Sequence, residues 1–292
     1  MNRHIITLMR PHQWLKNFFV FMPLFFDRHV TDWSYVWPCT VVFMAFCLAA
    51  SGVYCFNDIH DAEADRLHPA KRMRPVASGA VGIRTAYTTM CVLWVAAFIL
   101  PVICCYRSKG LTGTLLLYIA MNVAYCVKLK QIALLDVFIV AMGFVLRIVA
   151  GGLATGITLS HWIVLTTFLL ALFLAVAKRR DDVVIYETRC IKTRQNVVRY
   201  NMDFLNQTIG VLGSITIVCY ILYTVSGEVV ERVGSHYLYA TSVFVLAGIL
   251  RYMQLTLVDL KGGSPTEVLL HDRFIRVCIT GWIVAIAIIL YT

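Results

Sequence analysis

The sequence predicts an all-α protein, a polytopic membrane bundle of about nine transmembrane helices with a cytoplasmic N-terminus. Three observations carry this prediction. The 292 residues are 60% hydrophobic and only 14% charged, whereas a soluble domain is about 25% charged. Mean hydropathy is +0.75, and apolar runs recur along the whole chain, each near the ~20 residues a helix needs to cross a bilayer. Between these runs Lys and Arg alternate between rich and poor loops, which is the asymmetry that orients membrane proteins.

The runs fall at 14–28, 33–56, 85–106, 111–127, 133–153, 160–177, 206–226, 236–257 and 274–291. The first is short and broken by Pro23; the fourth is also short. The loop after the second run holds Arg66, Lys71, Arg72, Arg74 and Arg84. The loop after the sixth holds Lys178, Arg179, Arg180, Arg189, Lys192, Arg194 and Arg199. Loops on the other side hold only Arg28, Arg107, Lys109 and Arg232. The N-terminus and the even-numbered loops are therefore expected in the cytoplasm, and Thr292 outside. The start, MNRHIITLMRPHQWLKN, lacks a long apolar stretch followed by small residues, so no cleaved signal peptide is expected. No linker or soluble domain is visible, and residues 1–292 read as one transmembrane domain.

Composition excludes other classes. The ten cysteines are scattered through apolar runs without a CxxC, which fits small buried hydrophobes rather than disulfides or zinc. The net charge of +10 is better explained by membrane topology and anionic ligands than by nucleic acid.

Chemistry concentrates where the second run meets its loop, in FNDIHDAEADRLHPAKRMRPVASG. On a helix Asn57, Asp61 and Asp65 share a face at i, i+4, i+8; Asp58, Asp61 and Asp65 share one at i, i+3, i+7. Three carboxylates this close repel unless a cation sits among them. Hard oxygen ligands followed by Lys71, Arg72 and Arg74, with Pro69 and Pro75 as breakers, suit Mg²⁺ and a phosphorylated substrate. Asp181 and Asp182 follow Lys178-Arg179-Arg180 at the end of the sixth run, a second candidate metal or phosphate set. The echo of ND-x-x-D and KRRDD, four helices apart, suggests a weak internal duplication. The opening RPHQWLKN places Arg10, Gln13 and Asn17 at i, i+3, i+7, a polar stripe that is costly in a bilayer unless it faces a cavity; Trp14 and Lys16 also suit an interfacial anchor. Arg147, deep in the fifth run, needs an anionic partner, either a ligand or a carboxylate such as Asp136. Arg251 in the eighth run raises the same question.

Together these residues resemble the UbiA superfamily of intramembrane prenyltransferases. NDIHDAEAD matches its NDxxDxxxD motif; KRMRPVASG, Tyr125 and Lys128 in AYCVKLK, and the KRRDD end of the sixth run match further parts. The ends of the chain, RPHQWLKNFFVFMPLFF and RYMQLTLVDLKGGSPTEVLLHDR, resemble the decaprenyl-phosphate phosphoribosyltransferase group within it. That group's KRxxE is here Lys178, Arg179 and Asp182, an acid one methylene shorter, with Asp181 extra.

The resemblance implies a membrane helical bundle with a cytoplasmic active site in the inner (plasma) membrane. It implies Mg²⁺ held by Asn57, Asp58, Asp61, Asp65 and Asp182. It implies phosphate contacts from Arg10, Gln13, Lys16, Asn17, Asn57, Lys71, Arg72, Arg74, Tyr125, Lys128, Lys178 and Arg179. The reaction implied is transfer of phosphoribosyl from 5-phosphoribosyl 1-diphosphate to a polyprenyl phosphate. Lipid surrounds the chain, and homo-oligomers are compatible with it. Two other readings stand beside this one: a prenyltransferase moving a prenyl group to an aromatic or other acceptor, and a non-catalytic lipid or ion transporter.

Overall fold

The computed structural model describes residues 2–67, 71–104, 109–189, 195–260, 262 and 265–291. Pro69, Cys105, Arg107, Lys192, Arg194, Lys261 and Thr292 lie outside the described residues. Within them, every regular element is helical. In chain order the α-helices are α1 Asn2–Met9, α2 Met22–Phe26, α3 Trp33–His60, α4 Ala62–Leu67, α5 Ile83–Ile103, α6 Lys109–Val127 and α7 Leu135–Thr155. They continue as α8 His161–Arg189, α9 Met202–Val225, α10 Gly227–Val233, α11 Ser242–Leu257, α12 Pro265–His271 and α13 Arg273–Tyr291. Eight described helical segments are long and apolar enough to cross a membrane, so the chain is a multi-pass membrane protein.

The first run behaves differently. It forms a 3₁₀ helix, Pro11–Phe21, followed by the short α2. A 3₁₀ helix rises about 2.0 Å per residue, so the two pieces together reach about 30 Å, close to the hydrocarbon thickness of a bilayer. The segment thus has the reach of a crossing without being a regular α-helix.

Contacts divide the chain into two compact units, residues 1–130 with 143–159, and residues 131–142 with 160–292. Each contains one of the two acidic motifs. In the first, α3 is the central element, packed against α5, α6 and the 3₁₀ segment. Its most apolar window is 67% buried, which is why its sequence shows no polar stripe: a helix covered on all sides has no reason to be amphipathic. Small residues permit the close approach. A side chain at Gly52 would occupy the place of the Trp94 indole, whose Nε1 donates to Ala49 O at 3.3 Å. Val42, Phe46, Ala49, Leu115, Tyr118, Leu146 and Ala150 fill the core.

In the second unit α8 packs on α9, α9 on α11, and α11 on α13. Three polar fasteners hold these helices. Trp282 Nε1 donates to Tyr220 Oη at 2.7 Å, and that hydroxyl also meets Thr241 Oγ1 at 2.7 Å. Arg180 donates to Asn206 Oδ1 at 2.7 Å and to Thr256 O at 2.5 Å, satisfying a carbonyl that the end of α11 leaves open. Arg251 resolves to an ion pair with Asp272 at 2.9 Å, and Asp272 also accepts from Ile275 N at 2.9 Å, capping the first turn of α13.

Candidate active site

The acidic motif does not lie on one uninterrupted helix. α3 ends at His60, Asp61 is its C-cap, and α4 restarts at Ala62. The backbone ladder nevertheless bridges the break, with Asp61 N donating to Asn57 O at 2.9 Å and Asp65 N to Asp61 O at 2.8 Å. The expected shared face is therefore bent rather than lost.

Each of the motif's three aspartates meets a cation from a different part of the first unit. Asp58, 1% exposed, accepts from Arg10 Nη2 at 2.5 Å. Asp65, 4% exposed, accepts from Arg74 Nη1 at 2.7 Å, and the same nitrogen stands 3.6 Å from Asp58 Oδ1. Asp61 takes both its oxygens to Lys130 Nζ, at 2.6 and 2.8 Å. Burial alone would raise the Asp61 carboxyl, but the Lys130 ammonium and the neighbouring His60 outweigh it and hold the group below the usual carboxylate range.

One atom of the motif is left over. Asp58 Oδ2 is buried with no hydrogen-bond partner. A buried carboxylate oxygen without a donor is costly, and a divalent cation would satisfy it. Among the described residues no group of three or more His, Cys, Asp or Glu stands together as a complete metal cage. Mg²⁺ seldom uses one; it binds through one or two carboxylates and completes its shell with substrate phosphates and water. Asp58 and Asp65, sharing the Arg74 nitrogen, fit that habit.

The other predicted residues divide. Gln13 and Lys16 are half-buried on the 3₁₀ segment. Asn17 is fully buried elsewhere, donating to Cys47 Sγ at 3.2 Å and accepting from Arg147 Nε at 2.7 Å. The reason is helical period. Residues three apart eclipse in a 3₁₀ helix, so Asn17 aligns with Trp14 and Val20 and not with Gln13 and Lys16. Among the described residues Arg147 meets no carboxylate; its Nη1 donates to Gly143 O at 2.6 Å and its Nη2 to Tyr118 Oη at 3.0 Å. Lys71 is half-buried and Arg72 exposed; Arg74 of that run meets both Asp58 and Asp65. Tyr125 is half-buried and Lys128 exposed.

Lys130, not Lys128, reaches the motif, because a short 3₁₀ turn, Leu129–Gln131, follows α6. Its position beside Lys128 was the only signal of it in the sequence.

In the second unit KRRDD splits by function. Lys178 is exposed and Arg180 fastens α11. Arg179, 2% exposed, bridges Asp136 and Asp182, both at 2.6 Å. Asp136 is thus the partner of Arg179. It also accepts from Tyr200 Oη at 2.7 Å. That hydroxyl in turn accepts from Leu134 N at 2.8 Å, holding a non-glycine residue at φ 69°. Burial first, together with the Asp136 carboxylate, pushes the Tyr200 hydroxyl well above the usual phenol range. No sequence pattern had pointed to Tyr200.

A family model, the UbiA prenyltransferase family, matches residues 18–260. The chain belongs to this family. As a UbiA family protein it is a membrane-embedded transferase, which sets aside the transporter reading. Its similarity to two relatives runs nearly end to end. It is 34% identical over 300 residues to a decaprenyl-phosphate phosphoribosyltransferase of Mycolicibacterium smegmatis, covering 98% of this chain and 92% of that protein. It is 32% identical to the protein of the same name from Corynebacterium glutamicum, covering 98% and 86%. Among solved structures, a UbiA homolog from Archaeoglobus fulgidus bound to GPP and Mg²⁺ superposes with a TM-score of 0.73 at 17% identity, covering 99% of this chain and 100% of that one. That likeness establishes the fold.

Proposed function

We propose that this UbiA family member transfers the phosphoribosyl group of 5-phosphoribosyl 1-diphosphate to a polyprenyl phosphate, releasing pyrophosphate, at the cytoplasmic face of the inner membrane. The observation that carries the reading is the gathering of Arg10, Arg74 and Lys130, from three separate segments, onto the acids of one motif. Such a cluster is a store of exchangeable charge. With carboxylates engaged in holding Mg²⁺, Arg10, Arg74 and Lys130 would be free to donate to phosphate oxygens of the donor. The full-length likeness to phosphoribosyltransferases, at both ends of the chain, supports this donor over a prenyl diphosphate.

Asp58 and Asp65 would hold Mg²⁺, with Asn57 and Asp61 beside them. Bound there, the metal would neutralise charge building on the departing pyrophosphate. Arg74 and Lys130 would bind the same leaving group through charge-assisted hydrogen bonds. Arg10, Gln13 and Lys16 would meet the ribose 5-phosphate end or the acceptor phosphate. Lys71 and Arg72 would add positive potential at the mouth, beside Tyr125 and Lys128. For Lys178, Arg179 and Asp182 the support is the family motif alone. The C1–O bond to pyrophosphate breaks, and a new C1–O bond forms to the polyprenyl phosphate. The acceptor is already an anion at neutral pH, so no strong general base is needed, and catalysis rests on positioning and electrostatics.

The test uses purified protein, Mg²⁺, labelled phosphoribosyl diphosphate and polyprenyl phosphates of several lengths. Label appearing in the lipid phase with stoichiometric pyrophosphate is the expected result. Consumption of geranyl or longer prenyl diphosphates in place of phosphoribosyl diphosphate would establish the prenyltransferase reading instead.

A further inference from the structure

Arg147 is 7% exposed in the middle of α7, and no carboxylate lies within ion-pairing distance among the described residues. Its charge is instead dispersed over neutral groups. Nε donates to Asn17 Oδ1 at 2.7 Å, Nη1 to Gly143 O at 2.6 Å and Nη2 to Tyr118 Oη at 3.0 Å. The guanidinium carbon also lies 4.8 Å from the Tyr118 ring centre and 5.5 Å from that of Phe144. Placing an arginine there is expensive even with each of its three nitrogens donating one hydrogen bond. A residue that only filled space could be leucine.

What Arg147 holds is the 3₁₀ segment. Eleven residues of 3₁₀ helix is a long run for a geometry whose hydrogen bonds are poor and which rarely exceeds about four residues. It needs fastening from outside. Besides the Arg147–Asn17 bond, Trp14 Nε1 donates to Ser51 Oγ at 3.0 Å and Ser51 Oγ to Met9 O at 2.9 Å. Gly151, one turn beyond Arg147 on α7, lies so close to the Val20 carbonyl that any side chain there would overlap it. At the segment's other end Arg10 adopts a left-handed backbone, φ 53° and ψ 59°, and reaches Asp58. A slip of the segment by one residue would move Arg10 about 2 Å along the axis and about 120° around it, away from that carboxylate.

We propose that Arg147 is a positioning residue: it fixes the register of the segment Pro11–Phe21 through Asn17, and thereby sets Arg10 against Asp58. The kinetic part of its test rests on the function proposed above; the exchange part does not. Arg147→Met, similar in length and apolar, and Asn17→Leu, which removes the same bond from the other side, are compared with the wild type. Amide hydrogen exchange is expected to quicken about tenfold in peptides covering residues 9–21 and to stay unchanged in α9. KM for phosphoribosyl diphosphate is expected to rise about tenfold with kcat changed far less. In an Arg10→Ala background Arg147→Met should add almost nothing, because both changes remove the same placement. Unchanged exchange over residues 9–21 in both variants would overturn the proposal, and so would strictly additive effects of Arg10→Ala and Arg147→Met. Failure of the wild type to use phosphoribosyl diphosphate would overturn the proposed function and leave the exchange result to decide the role of Arg147.

Discussion

Asp58 keeps one oxygen on Arg10 and leaves the other buried without a donor, so its substitution separates the metal from the ion pairs. Asp58→Asn keeps the shape and removes the charge. It is expected to raise the Mg²⁺ concentration for half-maximal pyrophosphate release by at least about tenfold; an unchanged Mg²⁺ dependence would remove Asp58 from the metal. Lys130 reports on the other side of the exchange. If it leaves Asp61 for the diphosphate, Lys130→Gln should raise KM for the donor about tenfold, since a charge-assisted contact is worth roughly 1.5–3 kcal/mol. Steady-state kinetics with each substrate varied in turn would show it, and an effect confined to the acceptor would reassign the lysine. At this scale the sequence was readable where charge breaks an apolar run: the acids stand at the sharp edge of α3 and could hardly be missed. It was opaque where a turn redirects the chain. Nothing in AYCVKLKQ states that the 3₁₀ turn after α6 brings Lys130 rather than Lys128 to Asp61.

Elements show the same division. Eight of the predicted runs became long helices because hydropathy reads directly as burial in lipid or protein. The opening run became 3₁₀, and its changed period took Asn17 out of line with Gln13; the fastenings responsible come from Ser51, Arg147 and Gly151, far along the chain. Polar fasteners between helices were likewise invisible, since Arg251 and Asp272 are 21 residues apart. That pair makes a pH prediction. The hydrogen bond and charge of Arg251 hold the Asp272 carboxyl below its usual value. A carboxyl whose pKa is depressed by folding stabilises the fold above its unfolded pKa of about 3.9, and that contribution fades as pH falls through the lower folded value. Asp272→Asn keeps the cap for α13 and loses the charge. The wild type is therefore expected to melt higher than this variant at pH 6–7, with the gap closing below about pH 4. A gap independent of pH would mean that packing, not charge, ties α11 to α13.

For the whole molecule, the chain divides into two compact units, each with a long helix that bears one of the acidic motifs. The direction in which the chain faces is predicted by its charge distribution. The loop after α3 holds Arg66, Lys71, Arg72, Arg74 and Arg84, and the chain after α8's apolar part holds a comparable set; between α9 and α11 there is only Arg232. Cytoplasmic retention of Lys and Arg then predicts the acidic motif inside and α10 outside. The placement also suits the chemistry, because a phosphorylated donor too polar to cross the bilayer would meet Arg74 and Lys130 from the compartment that makes it. Single cysteines at Ala80 and Glu231, both exposed, would test this in sealed cells with an impermeant maleimide, each site quantified by mass spectrometry against the native thiols. Ala80→Cys is expected to label only after the membrane is opened, and Glu231→Cys in intact cells. The reverse pattern would turn the molecule over, and the donor would then have to be supplied from outside.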